Sequence, residues 1–397
     1  MVINGIQIIN RINRLILPSS FKIQVSLCNF AAIIMPQISF ASNNRSFHIE
    51  LNDRVKQYFK DKNISQRGNA KLFFKAFFMY AVVLSCYAVL VFVQPSSVLL
   101  NIALLVVFGT FLAFIGFNVM HDSCHGAFSN NSKVNDVFGY SMNFLGAECR
   151  FWKVKHNVLH HTYTNVDGVD DDIFKPPFLR MSPNQPYLPL HKYQSWYMLF
   201  LYGISTMFWV FWMDSLKYFT DKVHTTDLPK KKMADHISFW ATKLFYIGFY
   251  IVTPLVFLGF SKFIFGFFFF NFVMGIVMSV VFQLAHVVEG VGFADAQETG
   301  VLAIDEDWAI FQLKTTFDFC PENKFLTWSL GGLNFQVEHH LFPKVSHVHY
   351  PEIRKIVLEL ANKYGIQHNE FPSFWIALKS HFKMMHALGR PNNLSVA

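Results

Sequence analysis

Five apolar runs dominate the chain, at roughly residues 72–94, 97–120, 195–213, 238–260 and 263–288. Each comes close to the ~20 residues that carry a helix across the hydrocarbon core of a bilayer. Only Pro95-Ser96-Ser97 separates the first two runs, and only Ser261-Lys262 the last two. Links that short predict two helical hairpins. Ahead of the first run, FHIELNDRVKQYF at 47–59 repeats apolar and aromatic residues at helical spacing. It predicts an amphipathic helix on the membrane surface. After the last run, PEIRKIVLELANKYG predicts a soluble amphipathic helix that ends at Gly365.

The pattern divides the chain into an N-terminal extension (1–46), one membrane-embedded domain (47–370) and a C-terminal tail (371–397). Residues 1–34 lack Asp and Glu but carry Arg11, Arg14 and Lys22, and an apolar patch runs from Val25 to Met35. The extension reads as poorly ordered. A weak targeting segment, or a working start at Met35, are the alternatives.

Composition agrees with the pattern. Hydrophobic residues make up 52% of the chain and charged ones 15%, and the mean hydropathy is positive. That describes an integral, multi-pass membrane protein. The net charge of +8 forms no dense basic stripe, so no nucleic-acid partner is expected. Lys and Arg flanking apolar spans fit the positive-inside rule. The cysteines (Cys28, Cys86, Cys124, Cys149 and Cys320) are odd in number and lack a CxxC pair, so no disulfide framework is expected.

The candidate chemistry lies in three histidine clusters beside the apolar runs: HDSCH (121–125), HNVLHH (156–161) and QVEHH (336–340). Imidazole is costly to leave unpaired near lipid. Clustered histidines suit a first-row transition metal, iron among them. His121 and His125, His156 and His160, and Gln336 and His340 each lie four apart and would share a helix face. His161 and His339 adjoin such pairs and point about a quarter-turn away, which suits two ions better than one. His286 ends the fifth run and is a further candidate ligand, and Gln283, one turn earlier, could hold a metal-bound water. Cys124 falls on the side of its helix away from the metal. Asp122 and Glu338 read as orienters of ligating rings. Asp170-Asp171-Asp172 reads as a helix cap or as partners for Lys and Arg, with a separate metal site as the alternative. Trp152 and Asn157 could line a substrate path. His347 and His349 are expected at the surface or behind the ligands, and His368 in a polar loop.

If the three clusters serve one centre, they lie on one membrane face, and an even number of crossings separates them. Three runs intervene, so one does not cross. The run at 195–213, with Trp196, Trp209, Trp212, Tyr197 and Tyr202, has interfacial composition. The expected fold is all-α: four transmembrane helices in two hairpins, one interfacial helix, and a cytoplasmic helical cap.

HDSCH, HNVLHHTYTNVDGVDDDI and GGLNFQVEHHLFP resemble the three histidine boxes of membrane fatty acid desaturases. Gln336 at the head of the third box resembles the front-end subgroup. The resemblance covers roughly residues 47–370. It implies two non-haem iron ions held by His121, His125, His156, His160, His161, His339 and His340, with support for His286 and a weak or water-mediated role for Gln336. It also implies a cytosolic active site, O2 as co-substrate, and insertion of a cis double bond into a fatty acyl chain carried by CoA or by a lipid. The HPGG haem motif of a fused cytochrome domain is absent from the sequence. Electrons would therefore come from a separate ferredoxin or b-type cytochrome. A fatty acyl or sphingolipid hydroxylase with the same boxes is the nearest alternative. A haem-binding membrane subunit and a non-catalytic lipid receptor are more distant ones.

Overall fold

The computed structural model describes residues 37–41, 45–175, 177–224, 226–296 and 301–390. The expectation for residues 1–36 lies outside them. The rest of the extension is partly structured: Gln37–Phe40 pairs in parallel with Val301–Ile304.

Helix α1 spans Ser46–Lys62, α2 Ala70–Val93 and α3 Val98–Cys124. Asn69 and Ser97 cap α2 and α3, their side chains accepting from Leu72 N and Leu100 N. Gln94 ends α2 in the left-handed region. Helix α4 is short (Cys149–Trp152) and runs straight into a π-helical stretch, Lys153–His160. Three long helices follow: α5 (Pro189–Thr220), α6 (Met233–Leu258) and α7 (Phe260–His286). Among the described residues, five helices, α2, α3, α5, α6 and α7, are long and apolar enough to cross a membrane. Gly259, at φ 74°, makes the tight turn from α6 to α7 that a residue with a Cβ would resist.

The two hairpins meet at their tips, where Gln94 Nε2 donates to the Phe257 carbonyl at 3.0 Å. Outward-facing Phe74, Phe77, Val93, Leu99, Val256 and Phe260 stay exposed, as lipid-facing positions should. Between helices, small residues set the spacing. A Cβ on Gly109 of α3 would lie 2.5 Å from the Phe270 carbonyl of α7, and one on Gly275 of α7 2.4 Å from the Tyr202 carbonyl of α5.

Helix α5 is anchored at both ends to the layer that carries the histidines. At its start, Gln194 accepts from Arg180 N and donates to the Met385 carbonyl. Near its end, Asp214 accepts from Glu148 N at 2.7 Å and Lys217 faces Asp171 at 3.4 Å.

That layer is a cap of the segment from Glu148 to Asp172, which includes α4, together with α8 (Trp308–Thr315), α9 (Gln336–Leu341), α10 (Tyr350–Tyr364) and α11 (Phe374–Leu388). Its core joins Phe47, Leu51, Val55 and Phe59 of α1 to Ile353, Val357 and Leu360 of α10. Arg54–Glu359 and Lys363–Glu50 flank the seam. The apolar stripe of α1 is therefore covered by α10. The sequence reading placed it on lipid, because periodicity reveals a stripe and not what covers it. Beyond residue 371 the chain is still part of the core: His381 of α11 bonds Tyr202 on α5 and the Val287 carbonyl just after α7.

The α5–α7 crossing gives a stability test. Gly275→Val forces a side chain against two backbone carbonyls, and overpacking of this kind costs about 1–3 kcal/mol. A lowered unfolding temperature in detergent is expected, and an unchanged one would contradict the close crossing.

Candidate metal centre

Three chain segments converge at the inner ends of α3 and α7. The first ends α3, where a π turn, Gly116–Met120, leads directly into His121–Cys124. Asn118 anchors this turn by donating to the Ser329 carbonyl at 2.7 Å. The second is the π-helical stretch after α4. There the His161 amide bonds the His156 carbonyl five residues back, at 3.0 Å. This wider turn brings His156 beside both members of the doublet. Its ring stacks on His160, with centroids 5.1 Å apart, and its Nε2 lies 3.2 Å from His161 Nε2. The α-helical spacing assumed from sequence had separated His161 by a quarter-turn. Local π turns are rare and concentrate at functional sites. The third segment is α9. Gly331 (φ 61°) lets the chain pass before it, since a Cβ there would meet the Phe117 carbonyl at 2.6 Å.

The ligand-type nitrogens of His121, His125, His156 and His339 lie within 4.8 Å of one another, and so do those of His160, His286 and His340. His161 stands between the groups, its ring 4.4 Å from both His339 and His340. All eight histidines are buried. The structure thus brings together every histidine named from sequence as a candidate ligand, including His286 from the end of α7. Gln336 opens α9 with its amide nitrogen donated to the Leu333 carbonyl at 2.9 Å. Gln283 lies buried with its Oε1 unpartnered.

The outward nitrogens of four rings are held by protein groups. His160 Nδ1 lies 2.9 Å from Asp170, and His339 Nδ1 3.1 Å from the Tyr350 hydroxyl. His340 Nδ1 lies 3.0 Å from Gln312 Oε1 and 3.1 Å from Thr164 Oγ1, and His156 Nδ1 3.6 Å from Asp172. The Nε2 atoms of His125, His160, His286, His339 and His340 are buried with no hydrogen-bond partner among the described residues. Buried polar atoms are normally satisfied. A ring whose outer nitrogen is fixed and whose inner nitrogen is left bare is the usual arrangement around a metal. The Nε2–Nε2 separations of 3.2 Å, His121 to His156 and His156 to His161, match an edge of a shell with metal–nitrogen bonds of about 2.0–2.1 Å.

The electrostatics favour the same state. Burial pushes His156 down to about 4, against the opposing pull of Asp172. Burial and the neighbouring rings hold His125, His161, His339 and His340 well below the ordinary histidine value, so all are neutral with a lone pair available. His160 differs. Burial lowers its pKa, but the adjacent Asp170 carboxylate outweighs this and raises it, holding a proton on Nδ1.

Several functional groups were assigned otherwise from sequence. Asp171 pairs with Lys155 and Lys217, and Asp172 with Lys155 at 2.7 Å, as expected; Asp170 and, in addition, Asp172 face histidine rings. Asp122 and Glu338 do not orient these rings. Asp122 accepts from Ser346 Oγ and faces His347 Nδ1 at 2.9 Å, and Glu338 turns toward Asp318 and His368. His347 is accordingly buried behind Asp122, one of the two places expected for it, and His368 is buried although its segment reads as a polar loop. Gln312, Thr164 and Tyr350 carried no sequence signal. Trp152 stacks on His156, and Asn157 donates to the Cys124 carbonyl. Cys124 points away from the rings, 3.4 Å from Cys149 Sγ.

The fatty acid desaturase family model matches residues 95–372, more than half of the chain. The chain is 35% identical to an sn-1 linoleoyl-lipid 6-desaturase of Arthrospira platensis, over 85% of its own length and 91% of the relative's. It is 34% identical to a protein of the same description from Synechocystis sp. (88% and 97%), and 33% identical to an acyl-lipid (8-3)-desaturase of Physcomitrium patens (88% and 72%). The chain belongs to the fatty acid desaturase family of membrane oxidoreductases. Within it, these relatives place the chain in the front-end subgroup.

The hydrogen bond from His160 to Asp170 can be tested directly. Asp170→Asn keeps the shape and removes the charge. Losing such a partner typically costs 10- to 100-fold in metal affinity. Metal retention through dialysis should fall accordingly while the protein stays monodisperse. Full retention would mean that another group orients His160.

Proposed function

We propose that this protein inserts a cis double bond by front-end desaturation into a lipid-linked acyl chain, using two iron ions, O2 and electrons from a separate donor protein. The observation that carries this reading is the pair of buried histidine groups, in which five rings leave Nε2 bare and four have the outer nitrogen held by a protein group. His121, His125, His156 and His339 would hold one ion and His160, His286 and His340 the other, with His161 between them. Gln336, its amide nitrogen committed to Leu333, is left to reach an ion through its oxygen or a water. The relatives named for lipid-bound substrates support the choice of acyl carrier.

Bound iron with dioxygen supplies the oxidising power that an unactivated methylene C–H bond demands and no side chain has. The chain's own residues supply position. Asp170, Gln312, Thr164 and Tyr350 lock ring orientation, so the inner nitrogens need no rearrangement. Phe282 packs against His160 and His286, and Trp152 against His121, His125 and His156, which excludes water from the rings. The net reaction removes two hydrogens from adjacent carbons while O2, with two electrons and two protons, goes to water.

We read α2, α3, α6 and α7 as the four crossings and α5 as lying along the interface, because both ends of α5 bind the histidine-bearing cap. Basic loops on that side, including Lys230-Lys231-Lys232, support a cytoplasmic active site and offer attraction for an acidic electron donor.

Two measurements test this reading. Expression in a host without polyunsaturated lipids should yield an acyl product lighter by two hydrogens, and His160→Ala should abolish it. A product heavier by one oxygen would instead establish a hydroxylase. Single cysteines at positions 161 and 214 should react with an impermeant reagent from the same membrane face. Reaction from opposite faces would make α5 a crossing helix.

A further inference from the structure

Behind the third histidine segment, on the side of α9 away from the rings, three ionisable side chains face one another in the interior. Glu338 and Asp318 are fully buried, and the His368 side chain is only 5% exposed. Their ligand-type atoms all lie within 4.8 Å of one another. His368 Nε2 is 3.4 Å from Asp318 Oδ2 and 3.7 Å from Glu338 Oε1. Asp318 Oδ2, both Glu338 oxygens and both His368 nitrogens lack a hydrogen-bond partner among the described residues. Arg354, the nearby cation, is engaged with Glu370 and Glu322.

We propose that Asp318, Glu338 and His368 form a further metal site, for a structural divalent cation of the zinc class, separate from the histidine centre. Two buried carboxylates facing each other need positive charge between them. Burial lowers the His368 pKa, but Asp318 and Glu338 outweigh it and raise it to about 10; that imidazolium supplies one positive charge, yet at 3.4 and 3.7 Å it makes a good hydrogen bond to neither Asp318 Oδ2 nor Glu338 Oε1. An ion at the middle meets all three. Separations of 3.4 and 3.7 Å compare with about 3.4 Å for the edge of a tetrahedron with bonds of about 2.0–2.1 Å, and two oxygens with one imidazole form a zinc-type donor set. The second Glu338 oxygen, or a water, completes the shell.

The site would act as a clamp. Asp318 Oδ1 already accepts from Val337 N at 2.9 Å in the first turn of α9, and Asp318–Phe319 pairs in parallel with Glu370–Phe371. An ion bound here fastens the helix carrying His339 and His340 to the segment that carries His368, without touching either ring.

The test uses the full-length protein in detergent, with metals counted before and after reductive chelation of iron. Wild type should keep a single equivalent of zinc. X-ray absorption at the zinc edge should show an oxygen-rich shell with one imidazole, unlike zinc misloaded among many histidines. Asp318→Asn and His368→Ala should each lose that equivalent, and His160→Ala should keep it. A stripped protein free of metal, an imidazole-rich shell, or an equivalent that survives both clamp variants overturns the proposal. The first of these results would leave the His368 imidazolium to explain the cluster. If His368→Ala does not accumulate, Asp318→Asn and the wild-type spectrum decide.

Discussion

A cluster of imidazoles in a dry interior constrains everything around it. Each ring must stay neutral, and each must be aimed. Burial and mutual repulsion achieve the first, holding most of the rings far from protonation. The second is met in four rings by an acceptor or hydroxyl at the outer nitrogen, and those groups come from four separate parts of the chain: the loop after the second cluster, α8, α10 and the acidic run. The cap therefore serves as more than a cover. It is the scaffold that fixes the direction of rings whose backbones belong to membrane helices and short turns.

The membrane helices meet this demand by extending beyond the lipid-facing portion. Helices α3 and α7 run parallel to each other and deliver His121 and His286 at their inner ends. Glycines at the crossings set how closely those ends approach. Packing depth in the bilayer region thus becomes ring placement in the centre, and a change at Gly109 or Gly275 would be felt well away from its own contacts.

Much of this was legible in the sequence. Five apolar runs, two short links and three histidine clusters are patterns of composition and spacing, and each corresponds to an element of the structure. His286 was readable because it closes a run whose length fixes where its end must lie. The π turn at His156–His161 was not, because the same letters fit an α-helix and only tertiary contacts select the wider turn. Tyr350 and Gln312 were invisible for a different reason: a hydrogen bond to a ring 11 or 28 residues away leaves no local periodicity. Asp122 and Glu338 were misassigned because adjacency in sequence was taken for adjacency in space, whereas successive side chains on a helix point about 100° apart.

The two hairpin tips, joined by Gln94 and Phe257, have a consequence for the lipid itself. Nearly all of the described polar structure lies at the other end of the molecule, so the protein has one working side. Under the proposed reading, a lipid-linked chain would enter from the leaflet whose headgroups share that side. New double bonds would then arise in one monolayer only, and their spread to the other would be set by how fast lipids cross the bilayer, a rate this enzyme does not control.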